Sequence, residues 1–373
     1  MRRDSFRSRR LSFLLVVGLG LSGARDGWAR EEAPRLEFSP SLEASSGLEA
    51  RTRFWIDALA RYSQSEAVVH DRDHPWIVFA VVPLEAGGAE EIPAIRRRYS
   101  DLADRVARAL ARPDLAASRR LLAPGGALYG QLGAPIHPRR LAEARGRIAV
   151  LPGQREVFAE SLVRSKAYID GLKRVLREAG LPEDLAYLPH VESSFDAQAR
   201  SPAGAAGLWQ LMPATARESL RVDGTVDERT DPYKATVAAA RYLRAAYTAL
   251  GSWPLAVTSY HHGVSGTQHA VDRTRTRDLA ALIDLHTSSS FGYAGRNFYA
   301  RFLASVYVAR NSRFFFPGIE RRAAHEYVVR KGDTLWRIAR RHGTTVQALR
   351  STNRRALPAS AQLQLGQRLL IYG

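Results

Sequence analysis

The stretch "LPHVESSF" places one carboxylate, Glu192, in a mostly apolar setting with two serines directly after it. Packing beside Leu188, Val191 and Phe195 would disfavour the ionised carboxylate and raise its pKa above the usual value of about 4.3. A glutamic acid that keeps its proton at neutral pH can donate it to a glycosidic oxygen. Ser193 could orient such a carboxyl by hydrogen bonding. Taken alone, Glu192 fits a solvated helix-end residue equally well.

A second segment, "SPAGAAGLWQLMPATA", offers the features of a ligand-lining loop. Its small residues, up to Gly207, allow a backbone to approach a ligand closely. Trp209 and Met212 offer apolar surface, and an indole face suits the C–H face of a sugar ring. Gln210 can both donate and accept hydrogen bonds. Trp209 also fits a core residue, and its sequence alone does not separate the two interpretations.

A third segment, "LAVTSYHHGVSG", places Tyr260 at the end of a predicted helix, with His261 and His262 next to it. Adjacent residues on a helix point about 100° apart, so these two histidines make a poor pair of metal ligands. No HExxH-like spacing occurs in the sequence. We therefore assign no metal ligands and expect no cofactor.

Helices must position these residues. Apolar residues at helical spacing predict a helix that starts near residue 153 and ends at Gly180. A second helix starts at Pro182, and Pro189 should kink it just before Glu192. Six further helices are predicted over 54–62, 95–112, 213–221, 234–250, 253–262 and 294–311. Asp231 is the predicted N-cap of the helix over 234–250. Residues 67–82 predict a pair of strands, and residues 124–138 a loop.

The composition of the 373 residues is that of a globular protein, with 45% hydrophobic residues and a net charge of +18. Such a charge favours an anionic partner: nucleic acid, an acidic membrane or an anionic cell-wall polymer. The order basic, apolar, small over residues 1–29 predicts an export signal, with a membrane anchor as the alternative. "SRRLSFLL" loosely resembles a twin-arginine signal. The absence of cysteine excludes disulfides, thiolate chemistry and a lipid-modified N-terminal Cys, so we expect no lipid anchor.

The segment "YLPHVESSFDAQARSPAGAAGLWQLMPAT", with "SYHHGVSG" downstream, resembles the catalytic domain of lytic murein transglycosylases. The most similar group is the membrane-bound lytic transglycosylase D type, in the goose-type-lysozyme-like superfamily. "PGQREVF", "DPYKAT" and "FGYAGRNFYARFL" fall in the order expected for it. The resemblance covers roughly residues 150–312, and its motifs are specific only in combination.

The resemblance implies roles for individual residues. Glu192 aligns with the catalytic acid/base, Ser193 with its supporting serine, and Tyr260 with a tyrosine near the glutamate. The substrate-lining motif corresponds to Gly207, Leu208, Trp209, Gln210 and Met212. His261 stands where the family has an asparagine thought to contact substrate, so this contact is expected to be altered.

The C-terminal segment "HEYVVRKGDTLWRIARRHGTTVQALRSTN…LLIY" resembles a LysM domain over about 325–372. LysM domains bind glycans that contain N-acetylglucosamine. The resemblance implies two glycan-binding loops, and the residues assigned to them are Gly332, Asp333, Thr334, Leu335 and Asn353.

The expected fold is mainly α, with a lysozyme-like helical catalytic domain, a small α+β N-terminal region and a βααβ LysM module. The expected boundaries are 1–29 for the signal peptide, 30–145 for an N-terminal region of unknown role, 146–312 for the catalytic domain, 313–324 for a linker and 325–373 for LysM. Peptidoglycan glycan strands are the expected partner, in the periplasm or cell envelope, with peripheral association with membrane or wall. Oligomeric state is not predicted.

The resemblance also implies the reaction. Glu192 would protonate the β-1,4 bond between N-acetylmuramic acid and N-acetylglucosamine, and then, as a carboxylate, deprotonate the muramoyl 6-hydroxyl that attacks C1. Because this nucleophile lies within the substrate, a second carboxylate is unnecessary, unlike in two-carboxylate hydrolases. Asp196, Asp227 and Asp231 are nearby in sequence and receive no catalytic role. The alternatives are a hydrolytic muramidase of the same fold and a non-catalytic murein-binding protein. A nucleic-acid binder explains neither the export signal nor the LysM pattern.

Overall fold

The computed structural model describes residues 33–39, 42, 46–84, 88–111, 138–223, 225–286, 288, 291–321, 324–342, 344, 346–353, 357 and 362–372. The predicted export signal over 1–29 lies outside these ranges, as does all but the last residue of the predicted loop over 124–138. Within the described ranges, every helix is too short or too polar to cross a bilayer.

The N-terminal region combines helices with a three-stranded antiparallel sheet. Its elements are α1 (Glu49–Ala60), β1 (Glu66–Asp71), β2 (Val78–Pro83), α2 (Ile92–Leu110), α3 (Pro138–Glu143) and β3 (Ile148–Pro152). β1 is central, with Val68 paired to Val81 of β2 on one side and to Leu151 of β3 on the other. The predicted strand pair over 67–82 and the predicted helix over 95–112 are confirmed. β3 was not predicted.

The sheet and α2 share a small hydrophobic core. Every side chain of the central strand β1 is buried, so both faces of the sheet are covered at this strand. Leu102 and Val106, four residues apart on α2, are buried in the cluster that also contains Phe79 of β2. The helical periodicity of the sequence thus identified the face of α2 that covers the sheet.

The helical domain follows and contains most of the core. Its helices are α4 (Arg155–Ser165), α5 (Ile169–Glu178), α6 (Leu188–Glu192), α7 (Pro213–Arg217), α8 (Pro232–Leu250), α9 (Trp253–His262), α10 (Val264–Thr274), α11 (Leu279–Leu285), α12 (Tyr293–Arg310) and α13 (Ser312–Phe315). Short 3-10 turns lie at Glu183–Tyr187 and Glu228–Thr230. The mainly α fold is confirmed, and helices α7, α8, α9 and α12 lie where helices were predicted.

Two details of the predicted helices were wrong. The single helix expected from residue 153 to Gly180 is divided into α4 and α5 by a turn at residues 166–168. The helix expected from Pro182 is a 3-10 turn followed by α6, and Pro189 occupies the first turn of α6 instead of kinking a longer helix. Proline needs no N–H there, because the first N–H groups of a helix have no intrahelical acceptor. The result is a short helix that ends at Glu192.

Helix α8 is tightly bounded at both ends. The predicted cap is confirmed, since the Asp231 carboxylate accepts hydrogen bonds from the N–H groups of Tyr233 and Lys234 at 2.9 and 3.0 Å. Gly251 ends the helix with φ +67°, a conformation that glycine adopts without strain. Alanines form much of the buried face between these caps, and small side chains let neighbouring helices approach closely.

Helix α1 of the N-terminal region packs on α12 of the helical domain. Asn297 of α12 accepts two buried hydrogen bonds through Oδ1, from Arg51 Nη1 at 3.0 Å and from Trp55 Nε1 at 3.1 Å. Burial lowers the pKa of Arg51 to about 10. Leu48, just before α1, lies in the core of the helical domain. The two regions therefore share a hydrogen-bonded and apolar interface.

The C-terminal module has the predicted βααβ order. It consists of β4 (Ala324–Val328), α14 (Leu335–Arg341), α15 (Val346–Thr352) and β5 (Arg368–Tyr372), with β4 and β5 antiparallel. Ile338, Leu349 and Leu369 lie in its core. The segment expected as a linker, 313–324, begins with the end of α13 and continues into a 3-10 turn at Ile319–Arg321. This segment contacts the helical domain: Lys166 Nζ donates to the Ile319 carbonyl at 2.7 Å.

Replacing Asn297 tests the interface between α1 and α12. Asn297→Ala leaves the Arg51 and Trp55 N–H groups without their shared buried acceptor, so we expect the free energy of unfolding to fall by about 2–4 kcal/mol. Chemical denaturation measures this loss. Gln198→Ala, at an exposed position, is the control and should change stability by less than about 0.5 kcal/mol. Equal effects of the two changes would contradict the assigned role of Asn297.

Candidate active site

Glu192 is the last residue of α6 and lies at the centre of the site. Burial raises the pKa of its carboxyl to about 8, and the positive charge of Arg301 opposes this rise. The residue nevertheless keeps partial access to solvent. It can therefore hold a proton at neutral pH and still meet a ligand that enters from outside.

The backbone after Glu192 makes an unusual turn. Ser194 and Phe195 both have positive φ, +53° and +58°, a region that residues with a Cβ rarely adopt. Phe195 turns inward and is only 1% exposed. The Ser193 hydroxyl donates to the carbonyl of Leu208 at 2.8 Å. Ser193 thus ties the turn to the next loop, and its orientation of the Glu192 carboxyl by hydrogen bonding stays a prediction.

Helix α4 supports the same turn from behind. Arg164 Nε donates to the Ser194 carbonyl at 2.8 Å. Ser161 Oγ lies 2.5 Å from Nδ1 of His190, which precedes Glu192 on α6. Burial lowers the pKa of His190 to about 3, so its imidazole is neutral. His190 and Phe195 pack edge to face with ring centroids 4.4 Å apart. α6 and its turn are therefore held by both polar and aromatic contacts.

The loop "GLWQLMP" lies beside this turn, but its large side chains point into the protein. Leu208 and Trp209 are 0% exposed, and Trp209 Nε1 donates to Thr236 Oγ1 of α8 at 2.8 Å. The sequence-based expectation that Trp209 and Leu208 line the substrate with their side chains was wrong, because both belong to the core. What these residues offer the site is backbone: their carbonyls accept hydrogen bonds from Ser193 and Tyr260.

Gly207 is required by close packing as well as by its conformation. Its φ is +77°, and a Cβ at this position would lie 1.8 Å from the Arg229 carbonyl oxygen. Arg229 is 5% exposed, and its Nη1 donates to the carbonyls of Gly204 and Leu211 at 2.7 and 3.0 Å. Hydrogen bonds from Arg229 lower the pKa of Asp227 to about 2. This ion pair fixes the loop on the 3-10 turn that precedes α8.

Tyr260, at the end of α9, connects the loop to Glu192. Its hydroxyl donates to the Trp209 carbonyl at 2.8 Å, and its ring packs edge to face on Tyr242 at 5.3 Å. Burial, and after it the charge of Glu192, raises the pKa of Tyr260 well above the ordinary tyrosine value. The structure therefore places the predicted Tyr260 close to Glu192 and keeps it neutral.

Arg301 of α12 is the cation that acts on Glu192. Burial lowers the pKa of its guanidinium, and the charge of Glu192 raises it. Arg301 lies over the Trp55 ring, with Cζ 5.5 Å from the centroid, and its Nη2 donates to Gln154 Oε1 at 3.2 Å. Its buried Nε has no hydrogen-bond partner among the described residues. A positive charge is thus held near the carboxyl that would lose a proton.

The carboxylates nearest to Glu192 in sequence have structural roles. Asp196 Oδ1 accepts from the N–H of Gln198 at 2.9 Å, Asp227 pairs with Arg229, and Asp231 caps α8. Within the described residues, the charged group that shifts the pKa of Glu192 is Arg301, and no carboxylate does so. Nor does that part of the chain contain a cluster of three or more acidic or histidine side chains suited to a metal ion.

The remaining predicted residues lie at the surface of the site. Gln210 has positive φ, +47°, and its amide donates to the Gly207 carbonyl at 2.9 Å. Met212 is 44% exposed, the only side chain of the predicted lining motif with such exposure among the described residues. His261 is exposed and stacks on Phe298 of α12 at 5.3 Å, and burial of its ring lowers its pKa. Gln210, Met212 and His261 are thus the residues whose side chains a ligand could reach.

The LysM residues form two groups. Gly332 (φ +85°) and Thr334 lie directly before α14, which begins at Leu335. Thr334 caps this helix, since its Oγ1 accepts from the N–H of Arg337 at 3.1 Å. Asp333 accepts from the Tyr327 hydroxyl at 2.6 Å.

Asn353 is placed differently from the prediction. It is 8% exposed, and its amide bonds to the Leu370 backbone twice at 2.8 Å, through Nδ2 and through Oδ1. The prediction that the Asn353 side chain binds glycan was therefore wrong, because its hydrogen-bonding groups join α15 to β5. Residues 354–356 of the same predicted loop lie outside the described residues.

Three residues of functional interest were missed from sequence. Arg301 lies in the quoted motif "FGYAGRNFYARFL", but nothing in that motif distinguished it from other arginines. Arg164 could have been suspected from its spacing of four from Glu160, which suits an ion pair on a helix. Trp336, next to the first LysM loop, is 59% exposed, which its sequence position alone did not reveal.

Comparison with known proteins identifies two domains. Residues 172–283 match the family described as Transglycosylase SLT domain, and residues 327–371 match the LysM domain. The segment that contains Glu192 is therefore similar to SLT transglycosylase domains, and the C-terminal segment is similar to LysM domains.

Two curated relatives each match about a third of the chain. Membrane-bound lytic murein transglycosylase D of Escherichia coli (strain K12) is 32% identical over 117 residues, which is 31% of this chain and 26% of the relative. A putative tributyltin chloride resistance protein of Alteromonas sp. (strain M-1) is 27% identical over 129 residues, or 34% of this chain and 62% of the relative. The chain thus spans about a quarter of the first relative and less than two thirds of the second.

Among solved structures, an inactive mutant of the lytic transglycosylase Slt from Pseudomonas aeruginosa matches with a TM-score of 0.34 and 18% identity. The match covers 60% of this chain and 37% of that one.

Two glycines of the loop form a matched test of its close packing. Gly204 also has positive φ (+91°), but a Cβ there would meet nothing within 4 Å. We expect Gly204→Ala to lower the free energy of unfolding by about 1–2 kcal/mol through backbone strain alone. Gly207→Ala adds a clash with the Arg229 carbonyl and should cost several kcal/mol, about 3 or more. Urea denaturation compares the two variants, and equal losses would show that the loop can move away from Arg229.

Proposed function

We propose that this protein is a peptidoglycan lytic transglycosylase in which Glu192 is the sole catalytic acid and base. The observation that carries the proposal is the position of Glu192 at the end of a helix within the segment that matches the SLT family, where burial raises its pKa to about 8. A carboxyl that is protonated at neutral pH is the group that a glycosidic oxygen needs as proton donor. The substrate class is supported by the SLT and LysM matches together.

In the proposed reaction, Glu192 first transfers its proton to the oxygen of the β-1,4 bond between N-acetylmuramic acid and N-acetylglucosamine. The bond to C1 breaks, and the oxocarbenium-like or N-acetyl-assisted intermediate stays on the muramoyl unit. The Glu192 carboxylate then removes the proton of the muramoyl 6-hydroxyl, whose oxygen attacks C1. The product carries a 1,6-anhydro ring, and no water is consumed.

The neighbours of Glu192 suit both steps. Burial favours the protonated acid before the first step, and Arg301 offers a positive charge when the carboxylate forms. Neutral Tyr260 holds the backbone of the lining loop through the Trp209 carbonyl. His261 replaces the asparagine of related proteins and would contact the glycan as a neutral imidazole at neutral pH, because its pKa is lowered.

We also propose where the protein acts. The LysM domain would hold it on glycan strands through the loop that begins α14, from Gly332 to Leu335. The predicted export signal over 1–29 would deliver it to the cell envelope, where peptidoglycan lies, with no lipid anchor on cysteine. Without residues 1–29 the chain keeps a net charge of +14, which favours association with the anionic wall.

The pH dependence of cleavage tests the role of the raised pKa. Glu192 must carry its proton when the glycan binds, so activity should be lost as pH rises through the pKa of about 8. We expect kcat/KM on soluble glycan strands to fall about tenfold per pH unit above this value. Arg301→Gln removes the positive charge that lowers the pKa of Glu192, so the fall in kcat/KM should move to higher pH. A fall centred near the ordinary glutamate value of about 4.3 would contradict the proposal.

The products test the reaction itself. Digestion of purified sacculi, followed by mass spectrometry, should give anhydromuramoyl ends. Glu192→Gln cannot donate the proton and should reduce product formation by about 100-fold or more. Glu218→Gln makes the same chemical change at an exposed position and should leave the rate unchanged. Reducing ends alone would indicate a hydrolytic muramidase, and no product from the wild type would indicate a binding protein.

The stability of Glu192→Gln distinguishes loss of chemistry from loss of fold. Between the ordinary glutamate pKa of 4.5 and the folded value of about 8, the unfolded chain releases the Glu192 proton more readily than the folded one. This difference favours unfolding of the wild type progressively as pH rises through that window. Glutamine has no such proton, so the variant should be more stable than the wild type at pH 8 and equally stable at pH 4.

A further inference from the structure

A run of polar contacts connects the LysM domain to the backbone directly after Glu192. Thr344, between α14 and α15, donates its hydroxyl to Glu160 Oε1 at 2.6 Å. Glu160 Oε2 lies 3.6 Å from Arg164 Nη1, one turn further along α4. Arg164 Nε in turn donates to the Ser194 carbonyl at 2.8 Å. Three side chains thus span the distance from one domain to the catalytic turn of the other.

The two ionic members of this run are largely removed from water. The side chain of Glu160 is 5% exposed and that of Arg164 is 11% exposed. In such surroundings each charge is stabilised by its polar partners, and removal of one partner weakens that stabilisation. The orientation of Arg164 therefore depends on Glu160, and Thr344 satisfies one of the two Glu160 oxygens. α15 of the LysM domain also packs on α4, which keeps Thr344 in place.

The receiving end of the run is a strained piece of backbone. Ser194 has φ +53° and Phe195 has φ +58°, and such conformations persist only where the surroundings impose them. The Arg164 hydrogen bond acts on the carbonyl of Ser194, two residues after Glu192. A looser turn would let the end of α6 shift, and catalytic groups tolerate displacements well below 1 Å.

We propose that Arg164 and Glu160 are positioning residues for Glu192, and that the LysM domain completes them through the Thr344 hydroxyl. The LysM domain then contributes to the chemical step as well as to glycan binding. This inference rests on the proposed function of Glu192. It makes the docking of the LysM domain on α4 a determinant of kcat. A domain that only tethers the enzyme to its substrate would not affect kcat.

Thr344→Val removes the hydroxyl and keeps the size and shape of the side chain. We expect kcat on soluble glycan strands to fall about three- to tenfold, with KM unchanged. Thr344→Ser keeps the hydroxyl and should restore the wild-type kcat. Thr352→Val makes the same change at a LysM threonine that forms no hydrogen bond to the helical domain within the described residues, so kcat should not change. Thermal unfolding of all three variants checks that the fold is kept.

The double variant Glu160→Gln/Thr344→Val tests whether the contacts act as one unit. Glu160→Gln weakens the pairing with Arg164, so the Thr344 hydroxyl should matter less in that background. The loss of kcat in the double variant should be smaller than the product of the two single losses. Independent effects, or a rise in KM with unchanged kcat in Thr344→Val, would overturn the inference.

A readout without turnover separates this inference from the proposed function. In protein labelled with ¹³C at glutamate carboxyls, the Glu192 signal is assigned by its absence in Glu192→Gln. Thr344→Val should shift this signal, whereas Thr344→Ser and Thr352→Val should not. If the wild type cleaves no glycan but the signal shifts, the proposed function is wrong and the positioning holds. If the wild type is active and neither signal nor kcat responds, the positioning is wrong.

Discussion

The removal of one carboxyl group from water is the constraint on which the site depends. The pKa of about 8 for Glu192 means that the fold holds this acid where its ionised form is disfavoured. The end of α6 is kept there by a turn with two residues at positive φ, by the hydrogen bond from the Ser193 hydroxyl to the Leu208 carbonyl, and by the hydrogen bond from Arg164 to the Ser194 carbonyl. Strained backbone of this kind persists only where the surrounding structure imposes it, and it is concentrated at functional sites.

The groups around Glu192 are mostly neutral, which explains how the high pKa is maintained. Burial lowers the pKa of His190 to about 3 and raises the pKa of Tyr260 well above its ordinary range, so neither carries charge at neutral pH. Arg301 is the exception, and it is held by Trp55 and Gln154. A direct ion pair would hold Glu192 ionised, whereas a cation at longer range lowers the cost of the carboxylate only in part. This arrangement suits a group that must be an acid in one step and a base in the next.

Local sequence signals predicted much of the fold and the burial of the segment around Glu192, where Leu188 and Phe195 are buried in the structure. The role of Glu192 as the acid came from the resemblance to lytic transglycosylases and stays a proposal. Asp231 was recognisable because capping is a contact within four residues. The roles of Trp209 and Asn353 were wrong because a motif shows residue type, whereas exposure depends on the distant segments that cover each side chain. Arg301 was missed for the same reason.

The acid and its electrostatic surroundings come from different parts of the chain. Residues 172–283, the SLT match, include Glu192 and Tyr260. Trp55 and Gln154 hold Arg301, and all three lie outside that range, as does Arg164 behind the Ser194 carbonyl. α4 and α12, which also lie outside the match, pack on α6 and so help to bury the Glu192 carboxyl, whose pKa is raised by burial. The regions that flank the SLT match therefore help to keep Glu192 protonated.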